Sequence, residues 1–242
     1  MNLQDELLRM NKEAPYIGIL GATQPEKYSR KQGIAVGSAL RAYLEEAKGT
    51  LFTGGVDGVG VDVYTGISQF CVDAAVRTGT MPSDRFFVLI PNYYSKSRKG
   101  NVFGCSESDS PVPFRVPVAY DALSFLIKRR SVDNVFAGDD LEERRRLVGE
   151  VGNVFIVVNG SFGTLDEVQH ALRLSKPVIT LASTGNAASY LAEIRSGQRN
   201  SEAFASEGIN FKGLDLEKIS VAKNTEEMIE HLKMISLDAI SH

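Results

Sequence analysis

Only two cysteines, Cys71 and Cys105, occur in the 242 residues, far apart and outside any Cys-x-x-Cys pattern. That excludes a disulfide framework and a cysteine-based zinc site and fits two reduced thiols. Histidine is nearly as scarce, and His170, His231 and His242 share no ligand spacing, so neither a structural metal nor a metal cofactor is expected. No window approaches the roughly 18 consecutive apolar residues of a membrane span, and no membrane partner is expected. Met1-Asn2-Leu3-Gln4-Asp5-Glu6 carries acids where a secretory signal carries bases and an apolar run, so the expected location is cytoplasmic. Repeats of solenoid period and low-complexity tracts are also missing. A net charge of −3 and a pI of about 5.7 give no global pull toward nucleic acid, although Arg129-Arg130 and Arg144-Arg145-Arg146 are local basic clusters. Any bound anion is expected to be small and locally held.

Present instead is a rhythm of short apolar runs and longer amphipathic ones. Tyr16 to Leu20, Thr50 to Thr53, Phe86 to Ile90, Val154 to Val158 and Val178 to Leu181 are β-branched or aromatic, and most are closed by Gly or Pro. These read as buried strands. Between them, Arg30 to Glu46, Val61 to Arg77, Leu141 to Val151 and Leu165 to Ser175 place apolar residues at steps of three and four, as in Leu165, Val168 and Leu172. These read as crossover helices, with a last helix at Thr225 to Leu237.

Alternation of this kind predicts an α/β fold, an open, doubly wound, mostly parallel sheet of the Rossmann kind with helices on both faces. The expected organisation is a single nucleotide-binding domain over residues 1–242, interrupted by a long loop at about Pro91 to Val118 that is either a lid or disordered. After that loop, Tyr120 to Arg130 reads as a helix and Asn134 to Ala137 as a short strand or extended connector.

In such sheets ligands bind beyond the carboxyl ends of the strands, and three of the loops there contain glycine. The first is Gly21-Ala22-Thr23, where small residues leave the backbone open. The second, Gly54-Gly55-Val56-Asp57-Gly58-Val59-Gly60, matches neither a Walker A nor a well-formed Gly-x-Gly-x-x-Gly pattern. It is either a tight βα turn or a place where Gly54, Gly55 and Gly58 meet an anion or a ribose.

The third loop, Asn159-Gly160-Ser161-Phe162-Gly163-Thr164-Leu165-Asp166-Glu167, follows an apolar strand and opens a helix. Consecutive N–H groups from Gly160 to Gly163, the Thr164 hydroxyl and the positive helix end suit a phosphate. The same letters also spell a capping box, in which Glu167 serves only the Thr164 amide. In Arg144-Arg145-Arg146, residues step about 100° around the helix, so at most one or two face a site. His170, one turn beyond Glu167, either faces the same site or, as a lone histidine on a helix more often is, is structural.

Taken together, the three loops resemble the Lonely Guy-type proteins, cytokinin-activating phosphoribohydrolases often labelled lysine-decarboxylase-like, within a wider Rossmann-like superfamily. Their signature, Pro-Gly-Gly-x-Gly-Thr-x-x-Glu, is matched at Gly160, Gly163, Thr164 and Glu167, four of six specified positions. The family's arginine lies fifteen residues before the signature proline, and counting back fifteen from Asn159 reaches Arg144. Departures are Asn159 for proline, Ser161 for the second glycine, Arg145 for the lysine after the arginine, and Leu141-Glu142 for Met-His before it.

The resemblance implies hydrolysis of a nucleoside 5′-monophosphate, or a related nucleotide, to free base and ribose 5-phosphate. Glu167 and Arg144 would be catalytic, the Gly-Thr loop would hold the phosphate, no cofactor would take part, and the chain would form a homodimer or larger homo-oligomer. A Cβ at Ser161 is expected to restrict approach to the loop backbone, and Arg144 is expected to keep Glu167 ionised. The alternative is a non-catalytic carrier or sensor of a phosphorylated ligand such as a nucleotide or molybdenum cofactor. Binding of single-stranded DNA is a third reading, against which the acidic net charge stands.

Overall fold

The apolar runs become strands with boundaries almost as read: β1 Tyr16–Gly21, β2 Thr50–Thr53, β3 Phe86–Ile90, β4 Asp133–Phe136, β5 Val154–Val158 and β6 Val178–Leu181, with β7 Ile219–Ala222 added at the edge. The computed structural model describes residues 3–22, 28–54, 58–83, 85–90, 133–136, 138 and 141–235. The Pro91 to Val118 segment, the expected helix at Tyr120 to Arg130, Thr23, Gly55 and Cys105 lie outside the described residues. The α-helices among the described residues are α1 Leu3–Arg9, α2 Arg30–Tyr43, α3 Val59–Thr78, α4 Leu141–Val151, α5 Phe162–Arg173, α6 Ala187–Arg195 and α7 Thr225–Met234.

All seven strands pair in parallel in the order β4-β3-β2-β1-β5-β6-β7. Every residue of β5 is buried, as expected for a strand covered on both faces. Alternate side chains enter two cores. Ile17, Ile19, Val154, Ile156 and Val158 pack with α2, α3 and α7. Phe52, Phe87, Phe155 and Val157 pack with α1, α4, α5 and α6 on the other face. Each fully buried branched or aromatic side chain contributes roughly 1.5–3 kcal/mol.

The chain runs outward from β1 to β4, then returns to the other side of β1 with β5 and continues to β7. The winding therefore reverses between β1 and β5, where Gly21 lies in register with Val158. That is the switch point at which open α/β sheets form a ligand crevice. Helix α5 flanks it from one face and the N-termini of α2 and α3 from the other. No helix among the described residues is long and apolar enough to cross a membrane.

Candidate active site at the switch point

The β5–α5 loop is built around Asn159, whose φ of 57° lies in the left-handed region. Asparagine tolerates that region, whereas a proline ring fixes φ near −65° and could not. The loop therefore departs in backbone as well as sequence from one that begins with proline. Asn159 is buried. Its amide donates to Thr184 Oγ1 at 2.6 Å, its side-chain amide to the Thr184 carbonyl, and its Oδ1 accepts from Gly160 N at 2.9 Å and Asn186 Nδ2 at 3.1 Å. Ala188 N, in the first turn of α6, donates to the Asn159 carbonyl at 3.0 Å. The loop is thus fastened to the turn after β6.

Helix α5 starts at Phe162, three residues earlier than its apolar periodicity indicates. Ser161 is its N-cap, and the capping box is formed by Ser161 with Thr164. Thr164 Oγ1 accepts from Ser161 N at 3.4 Å and donates to the Gly21 carbonyl at 3.3 Å, joining this loop to the end of β1. Ser161 is extended, with φ −140°, so its Cβ adds no backbone strain. Glu167 has no capping duty.

Gly160, with φ 96°, brings the chain so close to α5 that a Cβ would lie 2.6 Å from Thr164 Oγ1. Its amide is taken by Asn159 and that of Ser161 by Thr164. The predicted cradle from Gly160 to Thr164 therefore contracts to Phe162 and Gly163, the first two residues of a helix, whose amides have no intrahelical acceptor. The Phe162 ring is half exposed and stands edge-on to Phe204 at 5.0 Å between centroids.

Glu167 is 7 % exposed and pairs with Arg144, itself 6 % exposed, at 2.9 Å from Oε1 to Nη2. Arg144 Nη1 donates to the Gly54 carbonyl at 3.3 Å. A Cβ at Gly54 would overlap that nitrogen, so the second glycine loop is what admits the guanidinium. Arg144 Nε is buried with no hydrogen-bond partner among the described residues. Burial pushes the Glu167 carboxyl above its ordinary range, and the pull of Arg144 in the other direction does not overcome it. Arg144 acts in the expected direction, favouring the ionised carboxylate, but in this dry position desolvation is the larger influence.

The three arginines divide by helix geometry. Arg144 points inward, Arg146 is exposed beside Glu143 and Glu150, and Arg145 lies between, 3.5 Å from Asp166. A Cβ at Gly163 would lie 3.2 Å from Arg145 Nη2, so a second cation borders the first turn of α5. His170 is 3.6 Å from Asp166 and packs its Cβ against Gly149 of α4. Of the first loop, Ala22 O accepts from Val59 N at 2.9 Å, and Gly58, with φ 87°, precedes α3.

Periodicity and glycine patterns passed over one cluster. Asp62, fully buried in the first turn of α3, accepts from the Tyr28 hydroxyl and, at 3.0 and 2.8 Å, from Arg30 Nε and Nη2. Burial, reinforced by Asp62, pushes the Tyr28 hydroxyl far up. The available signal was a single charged residue inside the otherwise uncharged Val59 to Ile67.

No family model matches the sequence, and no curated protein matches it either. Solved structures do. The protein TM1055 superposes over 92 % of this chain and 100 % of its own, with a TM-score of 0.55 and 20 % identity. The fold is shared. The molybdenum cofactor binding protein of the phototrophic bacterium Rippkaea orientalis matches over 91 % of this chain and 96 % of its own, with a TM-score of 0.50 and 21 % identity. The molybdenum cofactor carrier protein of Chlamydomonas reinhardtii matches over the same shares, with a TM-score of 0.50 and 19 % identity. At the level of fold, these likenesses support the resemblance drawn from the sequence.

Proposed function

We propose that the chain binds a nucleoside 5′-monophosphate or a related nucleotide at the β1/β5 switch point and hydrolyses its N-glycosidic bond. The observation that carries this reading is the buried Arg144–Glu167 pair, which sits beside the first turn of α5 and has no role in capping that helix. The 5′-phosphate meets the Phe162 and Gly163 amides at the positive helix end, with Arg145 alongside. Glu167 then faces the ribose. Water bonds to the anomeric carbon as the C–N bond breaks, and the bond's electron pair leaves with the base, which takes up a proton. Positive charge builds on the ribose in that step, and a fixed carboxylate stabilises it and orients the water. The upward push on the Glu167 carboxyl makes it a stronger base once ionised.

The test is base release from a panel of nucleoside 5′-monophosphates. Wild type is expected to turn over at least one, and Glu167→Gln to bind the same nucleotide while turnover falls about 10²–10⁴-fold. Folded wild-type protein that releases base from none refutes the hydrolase. The acid limb of the pH–rate profile should lie above the ordinary carboxyl value of 4.5.

A second reading, a carrier that keeps a phosphorylated ligand intact, is favoured by the Asn159 network, which withdraws the Gly160 amide from the cradle. Two of the fold neighbours are themselves a molybdenum cofactor binding protein and a carrier. Tight binding without turnover, unchanged in Glu167→Gln, selects this reading. Light scattering tests the homodimer that belongs to the first.

A further inference from the structure

Asp62 has no exposed surface, and a carboxylate in such a place costs several kcal/mol unless it is paired and hydrogen-bonded. Its two oxygens are used on opposite sides: Oδ2 takes the Tyr28 hydroxyl and Oδ1 takes Arg30 Nε and Nη2. Gly33 lets this arrangement close, since a Cβ there would lie 2.8 Å from Asp62 Cβ and 3.0 Å from the Tyr28 hydroxyl oxygen. For holding α2 to α3 alone, apolar residues of similar volume would serve as well or better than a buried ion pair. What the carboxylate adds is orientation of two planar groups, one ring and one guanidinium. The Arg30 side chain is 48 % exposed, whereas the Tyr28 ring is partly buried and packs against the core beside it.

The position is specific. Tyr28 and Arg30 stand at the start of α2, and Asp62 lies one turn beyond Val59, whose amide docks on Ala22 and whose side chain abuts Gly21. Gly21 is also the residue to which Thr164 donates. The cluster therefore borders the end of β1 from the face opposite α5. A ligand with its phosphate at Gly163 and its body lying across the end of β1 would extend toward this cluster.

Resting on the nucleotide reading above, we infer that Asp62 is a positioning residue that fixes Tyr28 and Arg30 as a platform for the planar heterocycle of the ligand. The crevice is then matched to a phosphorylated heterocycle and not to a bare sugar phosphate. Aromatic rings and arginine guanidinium planes both stack on heterocycles.

The test is calorimetric binding of two probes to the intact protein. One is a C-nucleoside 5′-monophosphate, in which a carbon–carbon bond replaces the cleavable C–N bond; the other is ribose 5-phosphate. Wild type is expected to prefer the nucleotide. Tyr28→Leu and Asp62→Asn are expected to weaken nucleotide binding about tenfold while leaving ribose 5-phosphate within about twofold. Tyr28→Phe keeps the ring but loses its bond to Asp62, so it should weaken nucleotide binding to an extent between wild type and Tyr28→Leu while leaving ribose 5-phosphate unchanged; wild-type affinity in Tyr28→Phe would overturn positioning of the ring by Asp62. Equal loss for both probes, or a wild type that binds them equally, overturns the inference and leaves the phosphate site standing. A wild type that binds neither overturns the nucleotide reading and this one with it.

Discussion

Replacing Arg144 with methionine retains much of the buried volume and removes the charge. Glu167 and Arg144 are 7 % and 6 % exposed and meet at 2.9 Å, so the change leaves a carboxylate buried without its counter-charge. Removing one partner of a buried pair costs about 3–5 kcal/mol while the other stays ionised. Protonation of Glu167 relieves that cost, which makes the penalty depend on pH. With Arg144 present, burial already holds the carboxyl above 4.5, and deleting the arginine removes the largest influence opposing it. The folded-state value then lies further above the unfolded one. Between the two values the folded protein keeps a proton that the unfolded chain has released, so stability falls as pH rises through that window. The slope can reach about 1.4 kcal/mol per pH unit for one group. Urea unfolding at pH 4.5, 6 and 8 should show Arg144→Met less stable than wild type by about 3 kcal/mol at pH 8. At pH 4.5 only about 1 kcal/mol should remain, from the lost Gly54 bond and packing. Arg144→Met combined with Glu167→Gln should lose the pH dependence. A difference below about 1 kcal/mol at pH 8, or the same difference at all three pH values, would refute a buried, mutually dependent pair.

Gly54→Ala places a methyl group on Arg144 Nη1, and overpacking of this kind costs about 1–3 kcal/mol. Thermal melts should show that loss, with nucleotide binding weakened because Arg144 is displaced. Gly160→Ala adds a Cβ 2.6 Å from Thr164 Oγ1 at φ 96°, and urea unfolding should register a loss of about 1–3 kcal/mol. Asn159→Ala removes the bonds to Thr184 and to the Gly160 amide and should cost about 2 kcal/mol by the same measurement. Hydrogen exchange at Gly160 should rise in that variant and stay at wild-type levels at Val157, in the middle of β5.

The parallel sheet was legible because its central strands are buried on both faces, which demands continuous apolar runs such as Val154 to Val158. Strand β7 was not, since its Ile219-Ser220-Val221-Ala222 is short, carries a serine and lies at the sheet edge. Helix α6 escaped because Ala187-Ala188-Ser189 gives little contrast between its faces. The start of α5 was misread for a physical reason. Thr164 and Glu167 have the spacing of a capping box, but Ser161 supplies the cap three residues earlier. The family resemblance, through the fifteen-residue count from Asn159 to Arg144, pointed to Arg144 and Glu167, and the two meet because both sit on regular helices flanking one strand. Tyr28, Arg30 and Asp62 meet only through the crossing of two helices, which no local pattern encodes.

Asn159 separates the two functional readings more sharply than Ser161 does. Ser161 adopts an extended backbone open to any residue and satisfies the helix end, so its side chain costs the cradle little. Asn159 changes what the loop can offer. Its left-handed backbone and its side-chain bond to Gly160 turn one donor inward, and its bonds to Thr184 tie the loop to the β6–α6 turn. A phosphate site with fewer amides leans harder on the helix end and on Arg145, both of which act by charge at short range. An anion there would still meet the positive helix end. Whether the bond beyond the phosphate breaks then depends on Glu167, whose carboxylate must ionise in a place where burial resists it. Ligand binding that releases Arg144 from Glu167 would raise that resistance, whereas binding that leaves the pair intact would keep the carboxylate charged and poised as a base.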